Sequence, residues 1–387
     1  MKNKENNIQK FKTFLEEKQI SCFLQVADNI PVSIGNAREK IDPTIIFKSS
    51  ESFDRFMKSM RIFSFGKEYI DGNIDFYPNK DINSVLNIIK IAEKLEDQPK
   101  TLLEQIAEKT SSSKDSAEHY AISEEFYKAF LDKNIQYTCG FFPRSKPGNI
   151  IEDIDTAQIN KFDLIHKELQ IQKDCKHLDI GCGWGTLIKY FVKEYHTDSY
   201  GISNTKEQVE SARKKIKDKD KIFYDDYLKF KNKELFDCIT IVGMMEHVPK
   251  RRQKKFLQFV YQKLKPGGMV YLQCITLGEK AVIGDGTKFL QNFVFPGFFI
   301  NTEEELSSRI KQANFKIIKH YDHSEHYSYT AQCWVENLLK NKEKMLKIKI
   351  KGKDTKKEYR TFLAYLSFAI NAYADGRGGL QRFVLQK

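Results

Sequence analysis

The chain of 387 residues contains no run of about 18 consecutive apolar residues, so its sequence excludes a membrane-spanning helix. The first seven residues are polar, and the apolar core of a secretory signal peptide is missing from them. Cysteine is scarce as well: the seven cysteines are an odd number and are scattered, which argues against a disulfide framework. No two of them have the spacing of zinc ligands, so we expect no metal site and a cytoplasmic location.

Positive charge, in contrast, is in excess, with a formal net charge of +12. Such an excess attracts polyanions, either an anionic membrane surface or nucleic acid, although solvated helix faces rich in lysine explain it equally well. Of these two partners, phospholipid head groups are favoured over RNA. The basic residues form three clusters: Arg213, Lys214, Lys215, Lys217, Lys219 and Lys221; Lys250, Arg251, Arg252, Lys254 and Lys255; and Lys340, Lys342, Lys344, Lys347, Lys349, Lys351, Lys353, Lys356 and Lys357.

The length favours two domains. Residues 1–100 read as a small α+β domain, residues 101–116 as a linker that includes a polar low-complexity stretch at 110–116, and residues 117–387 as an alternating α/β domain. Such alternation predicts a parallel, doubly wound sheet that binds its ligand at the carboxyl ends of the strands. The strand candidates are 21–24, 44–47, 176–180, 199–202, 222–224, 238–242 and 269–274, and the helix candidates include 53–60, 186–195, 206–217 and 252–263.

A glycine-rich turn follows the strand candidate 176–180. It reads Asp179-Ile-Gly181-Cys-Gly183-Trp-Gly185, and a helical pattern begins directly after it. Glycine allows a tight turn and a close approach of the main chain to a ligand. The order of the glycines resembles motif I of the class I S-adenosylmethionine (SAM) methyltransferases, whereas an ordinary strand–helix turn is the alternative interpretation.

Several further segments occur in the order that one family shows. They are Ser64–Gly72, 119–132 (His-Tyr through Phe-Leu-Asp), Tyr137–Phe142, Gly201–Gln208, Phe236–Val248, Phe293–Gly297, and His326-Tyr327 followed by Trp334. Together they resemble the cyclopropane-fatty-acyl-phospholipid synthase family, which is related to the mycolic acid cyclopropane synthases. The resemblance implies a class I SAM-methyltransferase domain, a Rossmann-like α/β sheet, with an N-terminal accessory lipid-binding domain. Family members are often dimers, so the resemblance also implies a homodimer. It further implies unsaturated phospholipids at the inner membrane face as partners, peripheral association with that face, and no nucleic acid.

The resemblance assigns a SAM site to nine residues. It places Tyr137 and Thr138 over the sulfonium end of SAM and Asp179, Gly181 and Gly183 below the cofactor. Ser203 and Gln208 replace the acidic ribose ligand of other class I methyltransferases. Asp226 and Tyr227 border the adenine.

The chemistry of the family explains the remaining residues. An alkene that attacks the SAM methyl group becomes a carbocation, and ring closure requires a base close to the new methyl group. In this family the base is thought to be a bound bicarbonate, and the matching positions are Cys139, Glu246, Gln273, Ile275 (through its main chain) and Tyr327. Gln273 departs from the family, which has histidine there. Glutamine still donates to an anion but cannot carry charge or relay a proton.

Three functions remain open on sequence grounds. The first is the transfer of a methylene group from SAM to the cis double bond of phospholipid acyl chains. The second is a methyltransferase of a related scaffold that acts on another lipid or a small amine, or that methylates without forming a ring. The third is a basic protein that binds nucleic acid or lipid and retains only a degenerate SAM fold. Individually, Cys139 and Tyr327 could be packing residues, and the aromatic set Phe289, Phe293, Phe295, Phe298 and Phe299 could be either core or the wall of an acyl channel.

Overall fold

The computed structural model describes residues 2–39, 41–78, 81–95, 122–281, 284–295 and 298–387. The predicted linker 101–116, the His-Tyr pair at 119–120 and the Pro-Gly pair at 296–297 lie outside these residues. The chain divides into two compact units. The first comprises residues 1–110, 283–294 and 334–368, and the second comprises residues 111–282, 295–333 and 369–387. The sequence had assigned all of 117–387 to one domain, whereas two later segments join the N-terminal unit in the structure.

The N-terminal part of the first unit is a four-stranded sheet with helices packed on it. The strand order is β2-β1-β3-β4, and β1 pairs with β3 in parallel while the outer pairs are antiparallel. Phe11, Phe47, Phe53 and Phe56 are fully buried in its core. The elements are α1 (Lys2–Glu17), β1 (Cys22–Val26), β2 (Val32–Ile34), β3 (Thr44–Phe47), α2 (Ser50–Met57), α3 (Ile62–Ile70), β4 (Ile74–Tyr77) and α4 (Ile82–Glu93).

The second unit is an α/β fold around a seven-stranded sheet, as the sequence predicted. Its strands β9, β8, β5, β6 and β7 run parallel, and β5 and β8 are almost wholly buried, as strands covered on both faces are. Its elements up to residue 277 are α5 (Glu124–Lys128), α6 (Ile154–Leu169), β5 (Lys176–Ile180), α7 (Thr186–Tyr195), β6 (Asp198–Ser203), α8 (Lys206–Lys215), β7 (Ile222–Tyr224), β8 (Phe236–Val242), α9 (Lys250–Lys263) and β9 (Leu264–Leu277).

The sheet is mixed, which corrects the prediction of a purely parallel one. The order is β10-β11-β9-β8-β5-β6-β7, and both β10 and β11 run antiparallel to their neighbours. Sequence analysis did not predict β10, because this exposed edge strand is rich in polar residues. The later elements are α10 (Asp285–Phe289), a π-helical turn (Leu290–Val294), α11 (Glu303–Gln312), β10 (Lys316–Asp322), α12 (Ser324–Lys340), α13 (Lys342–Met345), α14 (Thr355–Ala374) and β11 (Gly378–Gln386).

No helix among the described residues has both the length and the apolarity needed to cross a membrane.

Candidate cofactor and catalytic site

The glycine turn after β5 adopts a main-chain conformation that favours glycine. Gly181, Gly183 and Gly185 have φ angles of 85°, 53° and 74°. A Cβ atom on Gly185 would lie 2.7 Å from the Cβ atom of Ala212, whereas a Cβ atom on Gly183 would meet nothing within 4 Å. Gly185 is therefore needed for packing, and Gly183 leaves open space beside the turn, where a ligand can approach the main chain.

A cavity of about 220 Å³ opens above this turn at the carboxyl ends of the parallel strands. All nine residues of the predicted SAM site line it, although they come from four separate segments of the chain: Tyr137, Thr138, Asp179, Gly181, Gly183, Ser203, Gln208, Asp226 and Tyr227. The residues present therefore fit a ligand that has an adenosine part and an amino-acid part, and their role in holding SAM stays a prediction.

A chain of buried hydrogen bonds holds Asp179 at the bottom of this cavity. The Thr240 hydroxyl donates to Oδ1 of Asp179 at 2.7 Å, and Nε2 of His177 lies 2.9 Å from the same hydroxyl oxygen. Because that hydroxyl already donates to the carboxylate, His177 must donate through Nε2, and its Nδ1 must accept from Ser199 at 3.0 Å. Burial lowers the pKa of His177 to about 3 and raises the pKa of Asp179 to about 7. Sequence analysis missed His177 and Thr240.

The orientation of Gln208 is also fixed. The Ser203 hydroxyl donates to Oε1 of Gln208 at 3.1 Å, and it accepts from the main-chain nitrogen of Thr205 at 3.2 Å. Since the oxygen of the Gln208 amide is used, its nitrogen is the end that can donate to a ligand hydroxyl group. Asp226 caps its own loop by accepting from the nitrogen of Leu228.

A buried lysine supports Thr138. The Nζ atom of Lys161, on α6, donates to the Thr138 hydroxyl at 2.7 Å. Burial lowers the pKa of Lys161 to about 7, and the nearby carboxylate of Asp132 opposes this shift. A Cβ atom on Gly243 would lie 2.7 Å from the Thr138 methyl group, so Thr138 is held from both sides. Sequence analysis missed Lys161, which occupies an apolar helix face where a cation is unexpected.

The five predicted catalytic residues line a second cavity, of about 30 Å³. This volume holds roughly two water-sized particles, which suits a small ion. The two cavities share Tyr137, Thr138, Gly243 and His247 in their walls, so they adjoin. The five residues are Cys139, Glu246, Gln273, Ile275 and Tyr327.

Glu246 is the acidic residue of this second cavity. Its side chain is buried, and Oε1 accepts a hydrogen bond of 2.7 Å from the main-chain nitrogen of Ile275. Its other oxygen, Oε2, has no hydrogen-bond partner among the described residues. Burial raises the pKa of Glu246 to about 7, so the carboxyl group can hold or release a proton near neutrality. Buried polar atoms nearly always have a hydrogen-bond partner, so Oε2 indicates that this cavity binds a polar ligand.

The other walls of the small cavity are apolar or neutral. Burial raises the pKa of the Cys139 thiol, so this cysteine is protonated near neutral pH. Tyr327 stacks on Tyr373 with ring centres 4.4 Å apart, and the rings of Phe295 and Phe298 stack at 5.2 Å. Phe295 and Phe298 belong to the cavity wall, which supports the channel interpretation for these two members of the aromatic set.

Gln273 lies opposite a residue that sequence analysis missed. Arg382 is its direct partner in the antiparallel pairing of β9 with β11, and its Nε atom donates to Oε1 of Gln273 at 3.0 Å. The guanidinium is fully buried. The signal was present in the sequence, because Arg382 interrupts the apolar run from Leu380 to Leu385.

Comparison with known proteins gives the family. The family model described as mycolic acid cyclopropane synthetase matches residues 107–379. The chain belongs to this family of SAM-dependent methyltransferases. A probable fatty acid methyltransferase of Pseudomonas putida is 29% identical over 283 residues, which cover 68% of this chain and 70% of that protein. A cyclopropane mycolic acid synthase of Mycobacterium tuberculosis is 26% identical over 296 residues, 72% of this chain and 98% of that protein.

Solved structures show the same fold. The structure of a cyclopropane synthase of Mycobacterium tuberculosis aligns with a TM-score of 0.65 at 24% identity, over 72% of this chain and all of that chain. A coclaurine N-methyltransferase aligns with a TM-score of 0.62 at 18% identity, over 84% of this chain and 98% of that chain. The class I SAM-methyltransferase fold expected from the glycine turn is confirmed.

Proposed function

We propose that this methyltransferase transfers a methylene group from SAM to the cis double bond of an unsaturated phospholipid acyl chain and forms a cyclopropane ring, with bicarbonate as the base. The observation that carries the proposal is the adjacency of the two cavities. One has the walls expected for SAM, and the other is small and lined by the five residues that the family resemblance assigns to a bicarbonate site. The names of the relatives, which are fatty acid and mycolic acid enzymes, support an acyl substrate.

The residues of the two cavities would have different roles in this reaction. When bound, SAM supplies an electrophilic methyl group on a cationic sulfur, and bicarbonate supplies a base. Tyr137, Thr138 and the turn after Asp179 would hold the cofactor, with Lys161 fixing Thr138. Glu246, fixed by the main chain of Ile275, leaves Oε2 to share a proton with a bound anion.

The apolar rings beside the small cavity exclude water. Phe295, Phe298 and Tyr327 line it, and a positive charge that develops on a hydrocarbon chain is captured by water unless water is kept out. Aromatic faces also tolerate a cation, because the ring quadrupole is negative at its face. The walls therefore suit a substrate that is a hydrocarbon at the reacting carbon.

The first unit contains a cavity that suits an acyl chain. Its volume is about 420 Å³, and its interior is formed by side chains such as Phe65, Ile88, Phe289 and Leu363. Sequence analysis left Phe289 open as either a core residue or part of an acyl channel, and this residue lies in the cavity wall. A largely apolar cavity of this volume suits an accessory lipid-binding role. Charged residues also line the cavity: Lys48, Asp71, Asp75, Asp354, Lys342, Lys356, Lys357 and Arg360.

The three basic clusters are the candidate contacts with a membrane surface. We propose that they hold the protein at an anionic membrane face, where each lysine near the surface contributes about 1 kcal/mol. Some of this charge is already paired, since Lys215 contacts Glu124 and Lys357 contacts Asp71. The residues around 340–356 are the main candidates for head-group contacts. Homodimer formation stays a prediction.

The test is incubation with SAM and liposomes of a cis-monounsaturated phospholipid, followed by mass spectrometry of the acyl chains. We expect a mass gain of one methylene group and fragments diagnostic of a ring. The Glu246→Gln variant serves as the matched control, because it keeps the shape of the site and removes the titrating group. Binding of SAM without any change of the lipid would overturn the proposal.

Methyl transfer without ring closure is the second candidate, and Gln273 favours it. An amide cannot take up a proton where the family has an imidazole, so the carbocation can instead lose its proton from a neighbouring chain carbon and become a methyl-branched alkene. The same incubation separates the two functions, because a methyl-branched alkene has the same added mass but no ring fragments. An amine acceptor would leave the lipid unchanged.

A further inference from the structure

The guanidinium of Arg382 is buried without a carboxylate. Its three donor nitrogens contact neutral groups: Nε donates to Oε1 of Gln273 at 3.0 Å, Nη1 to Nδ1 of His323 at 3.0 Å, and Nη2 to the carbonyl oxygen of Gly140 at 2.7 Å. The guanidinium carbon lies 5.2 Å from the ring centre of Phe141. No ion pair between Arg382 and an Asp or Glu is present in the part of the chain that the structure describes. Burying a charge without an opposite charge is strongly unfavourable, so the site is built to receive an anion.

His323 does not provide that opposite charge. Burial, followed by the nearby charge of Arg382, lowers the pKa of His323 to about 4, so the imidazole is neutral and accepts through Nδ1. His326 behaves in the same way, because its Nδ1 accepts from the nitrogen of Phe142 at 2.8 Å. Neither histidine therefore compensates the positive charge of Arg382.

Arg382 also determines which end of the Gln273 amide faces the small cavity. A guanidinium has no acceptor, so it can only meet the oxygen of the amide. The nitrogen Nε2 then points the other way, where its contact with the carbonyl oxygen of Cys139 is long, at 3.4 Å. Gln273 belongs to the wall of the cavity. A second hydrogen on Nε2 is thus free to donate to a ligand.

We propose that Arg382 is a positioning residue of the small-anion site: it turns Gln273 so that Nε2 donates into the cavity, and it places a permanent positive charge beside Cys139. This inference rests on the proposed function and deepens it. Arg382 supplies the charge that Gln273 cannot carry where the family pattern has histidine. The Nη2 atom lies 4.0 Å from Sγ of Cys139, which brings the charge next to the cavity wall.

The test measures binding of sodium bicarbonate directly. Thermal unfolding is followed in buffer freed of carbon dioxide, with bicarbonate titrated against sodium chloride at constant ionic strength, because a ligand that binds the folded state raises Tm with its concentration. The variants are Arg382→Met, Arg382→Lys, Gln273→Met and the double variant. Arg309→Met is the matched control, since it removes an arginine of the same unit that pairs with Asn301 and Glu305 instead. SAM affinity, measured for each variant, shows that the fold is intact.

For wild type we expect a rise of Tm with bicarbonate but not with chloride. Arg382→Met should weaken bicarbonate binding about tenfold or more while SAM affinity changes little, because Gln273 is no longer held with Nε2 toward the anion and the positive charge beside the cavity is removed. Arg382→Lys should recover part of the binding, since it keeps the charge but not the planar donor pair. If Arg382 acts through Gln273, the double variant should bind bicarbonate no more weakly than the weaker single variant.

Two results would overturn the inference. One is a wild type whose Tm does not respond to bicarbonate. The other is an Arg382→Met or Arg382→Lys protein that binds SAM and retains the full bicarbonate response. Failure of the proposed function looks different: wild type would bind bicarbonate and lose this binding in Arg382→Met, yet liposomes would yield no product.

Discussion

Glu246 joins two neighbouring strands: it follows β8, and its Oε1 accepts from the main-chain nitrogen of Ile275 on β9 at 2.7 Å. The bond uses one carboxylate oxygen and the one main-chain donor that the resemblance assigned to the anion site. The main chain of Ile275 is therefore bonded to Glu246, and Oε2 of Glu246 is the atom without a partner among the described residues. Glu246 thus has a carboxylate oxygen that can bond to a ligand in this cavity.

Glu246→Gln should reduce product formation by about two orders of magnitude or more, as the loss of a proton-handling group does. SAM affinity should change little, because the residue does not line the larger cavity. The measurement is the rate of lipid modification together with the Kd for SAM. An active Glu246→Gln enzyme would contradict the role of this carboxyl group.

The pH dependence of stability should also change in this variant. The pKa of Glu246 is about 7 in the folded protein and 4.5 as the ordinary value, so the folded state holds the proton more tightly. This group therefore lowers the free energy of unfolding as pH rises from about 4.5 to 7, by at most about 3 kcal/mol. Relative to wild type, Glu246→Gln should gain stability between pH 5 and about 8, as measured by thermal unfolding at each pH.

Thr240→Val should weaken SAM binding and lower stability by about 1–3 kcal/mol, because it leaves Oδ1 of Asp179 and Nε2 of His177 without their shared partner. Calorimetric titration with SAM and thermal unfolding measure the two effects. Thr197→Val is the control, since Thr197 lies at the far end of the same hydrogen-bond chain, 2.7 Å from Ser199. Lower stability with unchanged SAM affinity in Thr240→Val would show that the network acts on stability alone.

Gly183→Ala and Gly185→Ala should separate binding from stability. Each forces alanine to a positive φ, which costs about 1–2 kcal/mol. Gly185→Ala should cost more, since its new Cβ atom would lie 2.7 Å from that of Ala212. The Cβ atom of Gly183→Ala would meet no protein atom within 4 Å. A loss of SAM affinity larger than the loss of folding stability would therefore indicate that this Cβ atom contacts the ligand. Unchanged SAM affinity in Gly183→Ala would place the ligand elsewhere.

Gly66→Ala should narrow the apolar cavity of the first unit. Gly66 lies within α3, and an added Cβ atom would lie 2.6 Å from the ring of Phe289, so the ring must move. We expect slower modification of long acyl chains at unchanged SAM affinity, and recovery when Phe289→Leu is added. Turnover on liposomes of different acyl length is the measurement. A rate independent of this pair would exclude the cavity from substrate binding.

The sequence determined the parallel part of the fold with little error. Strands β3, β5 and β7 begin and end at the predicted residues, because each contains apolar residues and is followed directly by polar residues or glycine, which favour a turn. The glycine turn was predictable for the same local reason, since its main-chain angles favour glycine. The order of motifs was enough to gather all the predicted site residues around two cavities.

Tertiary structure alone decided the rest. Residues 283–294 and 334–368 join the first unit through contacts between segments far apart in the chain, which no local pattern encodes. In the sequence, Arg382 and Lys161 are charged residues within apolar elements and have no evident partner. Strand pairing brings Gln273 to Arg382, and the packing of α6 brings Thr138 to Lys161. A local pattern reports which face of an element is buried, whereas the partner that a buried charge meets depends on where distant strands and helices come to lie.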